Sequence, residues 1–272
     1  MKAFSNHFAF EFKTALRNST QMLMNYLFPL VFYVMMGLIM TSINPGFKDI
    51  LIPAMIVFIF MVSALLGMPG PMVESREAGI YRSFKINGVP ALSILAIPVL
   101  TTLFHSFIVA AIIALTATPL FGGSAPTSWL NLILVSLLGA FALGGLGALI
   151  GVVSTGARST VLWAQAVFLP SMLLGGLMMP LEFIPESMLP FSALLPPTHL
   201  MQAFLGFAYE TATTFDLSVS IAALLAGGFL SAGLALYLFD WDSQNQARRG
   251  HPLLGLLALS PYLIASLFLF LR

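Results

Sequence analysis

No cysteine occurs in this 272-residue chain, and charge is scarce: 11 Lys plus Arg and 10 Asp plus Glu, 8% of all residues. Without thiols there is no disulfide framework, no thiolate metal site and no cysteine nucleophile. A soluble domain carries about 25% charged residues. The shortage here, set against 59% hydrophobic residues, describes a multi-span membrane protein. A formal net charge of +1 offers nothing to nucleic acid. Signatures of catalysis are missing too. There is no G-x-x-x-x-G-K-[ST], which excludes the phosphate-cradling P-loop. His7, His105, His199 and His251 form no H-E-x-x-H pair, and no G-x-S-x-G elbow presents a serine. We expect a non-catalytic chain that binds no cofactor of its own.

Apolar runs long enough to cross a bilayer, about 20 residues each, lie at roughly 22–42, 51–72, 91–118, 128–153, 159–180, 217–238 and 252–271. Tight turns at Asn44-Pro45-Gly46 and at Gly122-Gly123-Ser124-Ala125-Pro126 separate two of the pairs. Pro252 and Pro261 interrupt the last run, which fits an extra span or a partly buried hairpin. No Asp, Glu, Lys or Arg falls near the middle of any run. An ion-coupled carrier uses intramembrane carboxylates or similar groups to hold its ion. Only His105 qualifies, and a lone histidine in a span is more often hydrogen-bonded between helices. Energy for transport is therefore expected from elsewhere.

Residues 1–20 are too polar to span. Phe4, Phe8, Phe12, Ala15 and Leu16 share one helical face, with Lys2, Lys13 and Arg17 elsewhere, as in a helix lying in the membrane interface. Glu11, Lys13 and Arg17 interrupt this stretch, which does not read as a cleavable signal. Basic residues in the connections set orientation. With the N-terminus inside, Lys2, Lys13, Arg17, Arg76, Arg82, Lys85, Arg158, Arg248 and Arg249 are cytoplasmic, against Lys48 and Arg272 outside.

Three stretches carry the functional reading. Residues 74–90 hold five of the chain's charged residues, Glu74, Arg76, Glu77, Arg82 and Lys85, between two long apolar runs. Ile80, Tyr81 and Phe84 are possible anchors of a short helix there, Gly79 allows a bend, and Gly88 and Pro90 end it. Residues 181–200 are apolar but broken by Pro185, Pro190, Pro196 and Pro197, with Pro180 just before. That density forbids one continuous helix, so two short helices should dip into the outer leaflet and return. The fourth run carries Gly147 and Gly151 as G-x-x-x-G, with Ala140, Gly144 and Ala148 also four apart. This spacing allows close helix approach, within the chain or across a dimer.

Glu74-Ser75-Arg76-Glu77-Ala78-Gly79 resembles the E-R-E-x-G cytoplasmic segment of ABC-2 type transporter permeases, with Ser75 intervening. Gly175-Gly176-Leu177-Met178-Met179-Pro180-Leu181-Glu182-Phe183-Ile184-Pro185 and then Leu194-Leu195-Pro196-Pro197-Thr198-His199 are similar to that family's fifth span and broken outer helices. Pro196 stands where the family often has Asn. The interfacial N-terminal helix is the third likeness. The resemblance covers roughly residues 5–240 and implies an all-α, six-span ABC-2 type transmembrane domain. The tail after Asp240 departs from it as an extra C-terminal span. It further implies a single membrane domain over 1–272, a second permease copy or partner, and a separate ABC ATPase that binds the ATP.

On that resemblance, Glu74, Arg76, Glu77, Gly79, Arg82 and Lys85 contact the ATPase. Phe60, Met61, Leu65, Met172, Leu173 and Met179 line a pathway between permeases, on the second and fifth spans. Pro180, Glu182, Pro185 and Glu186 form an outer gate. The chain would sit among lipids in a bacterial inner membrane and export a substrate. Drug, lipid, peptide, polysaccharide and antibiotic all fit. The rival readings are an ATP-independent channel or secondary carrier, an assembly subunit, and an intramembrane enzyme.

Overall fold

The computed structural model describes residue 8, residues 12–14, 17–242 and 250–270. Most of the expected interfacial helix at residues 1–20 therefore lies outside the described residues, as do Lys2, Arg248, Arg249 and Arg272. Among the described residues the regular structure is entirely helical. Among these residues, five helices are long and apolar enough to cross a membrane: α1 (Ser19–Ile43), α2 (Leu51–Glu77), α4 (Ala91–Phe121), α5 (Trp129–Val153) and α8 (Leu217–Leu238). Between them lie α3 (Ile80–Ile86), α6 (Ala157–Leu174) and α7 (Pro196–Ala203). The chain closes with a 3₁₀ stretch, Pro252–Leu259, that runs into α9 (Ser260–Phe270).

Local chemistry sets the helix ends. Asn18, Ser128 and Asp216 accept hydrogen bonds from the first free N–H groups of α1, α5 and α8. Gly122 ends α4 in the left-handed conformation, at φ 69°. The 18 residues of α6 reach about 27 Å at 1.5 Å per residue. This helix stops at Leu174, short of the expected 180, because Gly175 and Gly176 follow and Gly176 has φ 79°.

Two ends can be distinguished by charge. One, the basic end, carries Arg76, Arg82, Lys85 and Arg158 together with Glu74, Glu77, Asp240 and Asp242; the other, the acidic end, carries Asp49, Glu182, Glu186, Glu210 and Asp216 with Lys48 as its one described basic residue. At the acidic end, Ser124 ties the two turns together: its N–H donates to the Lys48 carbonyl at 3.0 Å and its hydroxyl to Asp49 Oδ1 at 2.6 Å.

The centre of the bundle is α2. In its most apolar window 94% of residues are buried, against 22% in α1. Residues Leu51–Met61 are apolar on every face, and a helix of that kind belongs in a core. Against it pack α4, α5 and α7. The glycines of α5 make this possible by facing four different helices, Gly139 meeting Leu200 of α7. Gly147 and Gly151 meet Ala64, Met68 and Met72 of α2; Gly144 meets Val99 of α4; Gly145 meets Gly228 and Ser231 of α8. The G-x-x-x-G pair thus serves packing inside the chain.

The C-terminal segment runs antiparallel to α8. It begins at the basic end, where Gly255 lies against Val153, and reaches the acidic end, where Ser266 donates to the Pro190 carbonyl at 2.9 Å. On the way Tyr262 fills the space left by Gly227 of α8.

Candidate functional site

The residues expected to meet a partner lie at the basic end, but on two helices. Charge at a membrane surface does not end a helix, so α2 continues through Glu77. The break comes at Gly79, which sits left-handed at φ 73° and starts α3; Gly88, also at φ 73°, follows its end. Nothing crowds Gly79, so its role is conformational. Gly79→Ala is expected to destabilise by about 1–2 kcal/mol, the left-handed penalty of an L side chain. Gly79→Asn should recover much of this, since asparagine tolerates that region. Thermal unfolding of the three proteins in one detergent checks the order.

On the inner face of α3, Tyr81 is buried and Phe84 half-buried against Phe239, Ile94 and Leu149. The Tyr81 and Phe239 rings are 5.7 Å apart. Arg82 Nη2 lies 2.6 Å from Asp242 Oδ2, just beyond the end of α8. Outward, α3 presents Lys85, exposed, and Ile86, which is 81% exposed; Glu74 and Glu77, also exposed, stand on the last turn of α2. Ile80, expected as an anchor, is exposed as well. Nothing in the local pattern of α3 singles out Ile86; it stands out only once Tyr81 and Phe84 are seen to take the inner face.

Arg76 corrects the expected contact set. It is 6% exposed and turned inward. Its guanidinium donates to the carbonyls of Val152, at 2.9 Å, and Ser154, with Gly151 at 3.5 Å. These carbonyls close α5, where the helix has no further N–H to offer them, and a cation there also suits the helix dipole. Arg76 is therefore a clamp between the ends of α2 and α5 and does not reach out to a partner.

The expected pathway wall is corrected in half. Phe60, Met61 and Leu65 are fully buried within one chain; Phe60 packs edge-on against Phe107 at 5.3 Å. They cannot face a space between two copies. Met172 is half-buried against the core, whereas Leu173 and Met179 are exposed. Exposed apolar faces lie on α1, with Leu27, Val31 and Leu38, and on α6, with Val161, Leu162 and Leu169, as they do on α4, α5, α8 and the C-terminal segment.

At the acidic end the proline-broken stretch folds as short 3₁₀ turns, Leu181–Phe183 and Glu186–Met188, a one-turn helix Leu189–Ser192, and α7. Glu182, Pro185 and Glu186 are exposed and Pro180 is half-buried. All eight residues of α7 are buried. His199 anchors it: Nε2 meets the Ala193 carbonyl at 2.8 Å and Nδ1 the Ser220 hydroxyl at 3.1 Å. Gln202 Oε1 accepts the N–H groups of Thr214 and Phe215 ahead of α8. This segment, expected to dip into the outer leaflet and return, packs its α7 into the chain's own core.

Residues 3–209 match the family model described as ABC-2 type transporter. No curated protein and no solved structure matches the chain. The matched stretch takes in α1 to α7 and the charged segment between α2 and α4, and it stops short of α8 and the C-terminal segment. Spanning about three quarters of the sequence, that match makes this multi-pass membrane protein a member of the ABC-2 type transporter family, whose domain is a transmembrane permease.

Proposed function

We propose that the chain is the permease subunit of an ATP-driven exporter and that α3 seats in a separate ABC ATPase, which binds the ATP. The supporting observation is the double attachment of the 74–90 segment. Inward, Arg76, Tyr81 and Arg82 tie it to the ends of α5 and α8. Outward, it offers Glu74, Glu77, Lys85 and Ile86. A push on that face would be passed to three spans at once. The basic end is then cytoplasmic, with the N-terminus inside a bacterial inner membrane. The C-terminal segment crosses as a seventh span. Two permeases meet through the apolar faces of α1 and α6, near Leu173 and Met179, with Glu182 and Glu186 beside the outer mouth.

Purification from native membranes with mass spectrometry of what accompanies the chain tests the partner. An ABC ATPase in about equal amount is the expected result. Recovery of the chain alone, conducting or exchanging solute without ATP, would establish the channel or carrier reading instead. Reversing Glu74, Glu77 and Lys85 together is expected to lower ATPase co-purification at least tenfold with thermal stability unchanged. These side chains are exposed, and exposed charges contribute about 0–1 kcal/mol each to folding.

A further inference from the structure

The amide of Gln165 has no use within the chain. Among the described residues it makes no hydrogen bond; Oε1 is covered without a partner, whereas Nε2 stays open. Other amides inside the helices are accounted for. Asn131 donates to the Phe207 carbonyl, Gln202 accepts from Thr214 and Phe215, and Asn25 is buried. Gln21 lies at the start of α1. Gln165 instead is in the middle of the 18 residues of α6. That helix runs from the basic end, where Gly156 lies beside Glu77, to the acidic end, where Leu174 packs against Leu181, Ile184 and Phe215. Its midpoint is therefore deep in the membrane, where neither water nor an acyl chain offers a partner. An amide left unbonded there is destabilising, and side-chain amides in membranes hydrogen-bond across helices. The neighbours of Gln165 indicate which helix. Val161, Gln165, Leu169 and Leu173 stand four residues apart and form one inclined row on α6. The three apolar members are exposed and Gln165 is half-buried. Other helices expose apolar rows too; this one differs in carrying an unpaired amide among its leucines.

We propose that α6 pairs with α6 of a second copy of this chain, and that Gln165 bonds to Gln165 of the partner subunit. A two-fold axis between identical subunits sets each residue near the axis opposite itself. A carboxylate or an ammonium would then face its own charge. An amide carries both a donor and an acceptor, so it can bond its own copy. In one subunit Nε2 points across. In the other, a half-turn of the amide, which breaks no hydrogen bond, points Oε1 across to accept from it. Val161 and Leu169 close on either side. The pair also fixes register, because a slip of one turn would set the amide against leucine or valine. The inference rests on the reading that two permeases meet through α1 and α6. It adds that both are this chain and that one amide pair aligns them.

A chain without cysteine lets contacts be read one at a time. Val161→Cys and Leu169→Cys, each alone in the full chain, are oxidised in membranes. Formation of the covalent dimer is timed against Leu115→Cys, which is as exposed but lies on α4. Both α6 positions are expected to link about tenfold faster or more, since a disulfide needs close approach. Gln165→Leu should raise the dimer dissociation constant in detergent about tenfold. Thermal unfolding of the dilute monomer should be unchanged or raised, because no bond within the chain is lost. Gln165→Asn, which keeps the amide on a shorter stem, should recover part of the affinity. A lowered monomer stability in Gln165→Leu means a role inside the fold and overturns the proposal. So does linking at both α6 positions with dimerisation untouched by Gln165→Leu. Leu27→Cys and Leu38→Cys, on α1, separate this result from the parent reading. Linking there and not on α6 refutes the α6 pair while two permeases still meet. A monomer that links nowhere refutes self-pairing; if a different permease accompanies it the parent reading stands, and if none does both fall.

Discussion

Replacing Arg76 with methionine is expected to destabilise the folded chain by about 3 kcal/mol, because each buried acceptor left unpaired costs about 1–3 kcal/mol. The Val152 and Ser154 carbonyls both lose a donor, and both belong to nearly dry residues at the end of α5. Arg76→Lys should recover only part of this. An ammonium is a single charged point, whereas the guanidinium forks to reach several oxygens together. Arg82→Met gives the contrast. Its ion pair with Asp242 is short at 2.6 Å, but the arginine side chain is 54% exposed, so its loss should cost at most about 1 kcal/mol. Thermal unfolding in one detergent orders the four proteins as wild type, Arg82→Met, Arg76→Lys and Arg76→Met, most to least stable. An Arg76→Met protein as stable as Arg82→Met would sink the clamp. If α3 does receive a push from outside, Arg76→Met should also uncouple it from α5 while leaving the outer face of α3 intact.

The spans were readable where polar caps or glycine bracket an apolar run. The expected 217–238 coincides with α8, which Asp216 caps, and the expected 128–153 differs from α5 by the capping residue Ser128 alone. Reading failed where hydrophobicity continued past a backbone break. Leu177, Met178 and Met179 extend the apolar run beyond α6, and only the left-handed Gly176 marks the true end. The pathway wall was misjudged for a related reason. Composition shows that residues 51–61 are apolar all round, but it cannot distinguish a wall that faces a space from a helix enclosed by its neighbours. Arg76 looked like its charged neighbours, since the carbonyls that hold it lie about 75 positions away in sequence. His105 was read correctly as a histidine hydrogen-bonded between helices, and Tyr26 is its partner.

The other large effect belongs to Gly147. A methyl group there would overlap the Ala64 carbonyl and press on the Met68 side chain, at 2.8 Å. A side chain can swing aside, but the carbonyl is backbone in the middle of α2, so the two helices must separate. Overpacking of this kind costs about 1–3 kcal/mol, and Gly147→Ala should fall near the top of that range. Small residues at helix crossings in membranes exist to permit such contact. Gly233→Ala is the matched control. That glycine is also inside a helix, α8, but nothing lies within 4 Å of the added carbon. There the substitution should be neutral or stabilise by about 0.5–1 kcal/mol, from reduced freedom of the unfolded chain. Only Gly147→Ala should therefore lower thermal stability, and a Gly147→Ala protein as stable as Gly233→Ala would rule out the close crossing. The crossing also sets where α2 delivers its last turn. Pushing α2 away at Ala64 carries Arg76 away from Val152, so Gly147→Ala already loses part of what Arg76→Met removes. The double variant should then be less destabilised than the sum of the two single ones, the non-additivity expected of residues sharing one contact. Strict additivity would mean that the glycine crossing and the arginine clamp hold α2 to α5 independently.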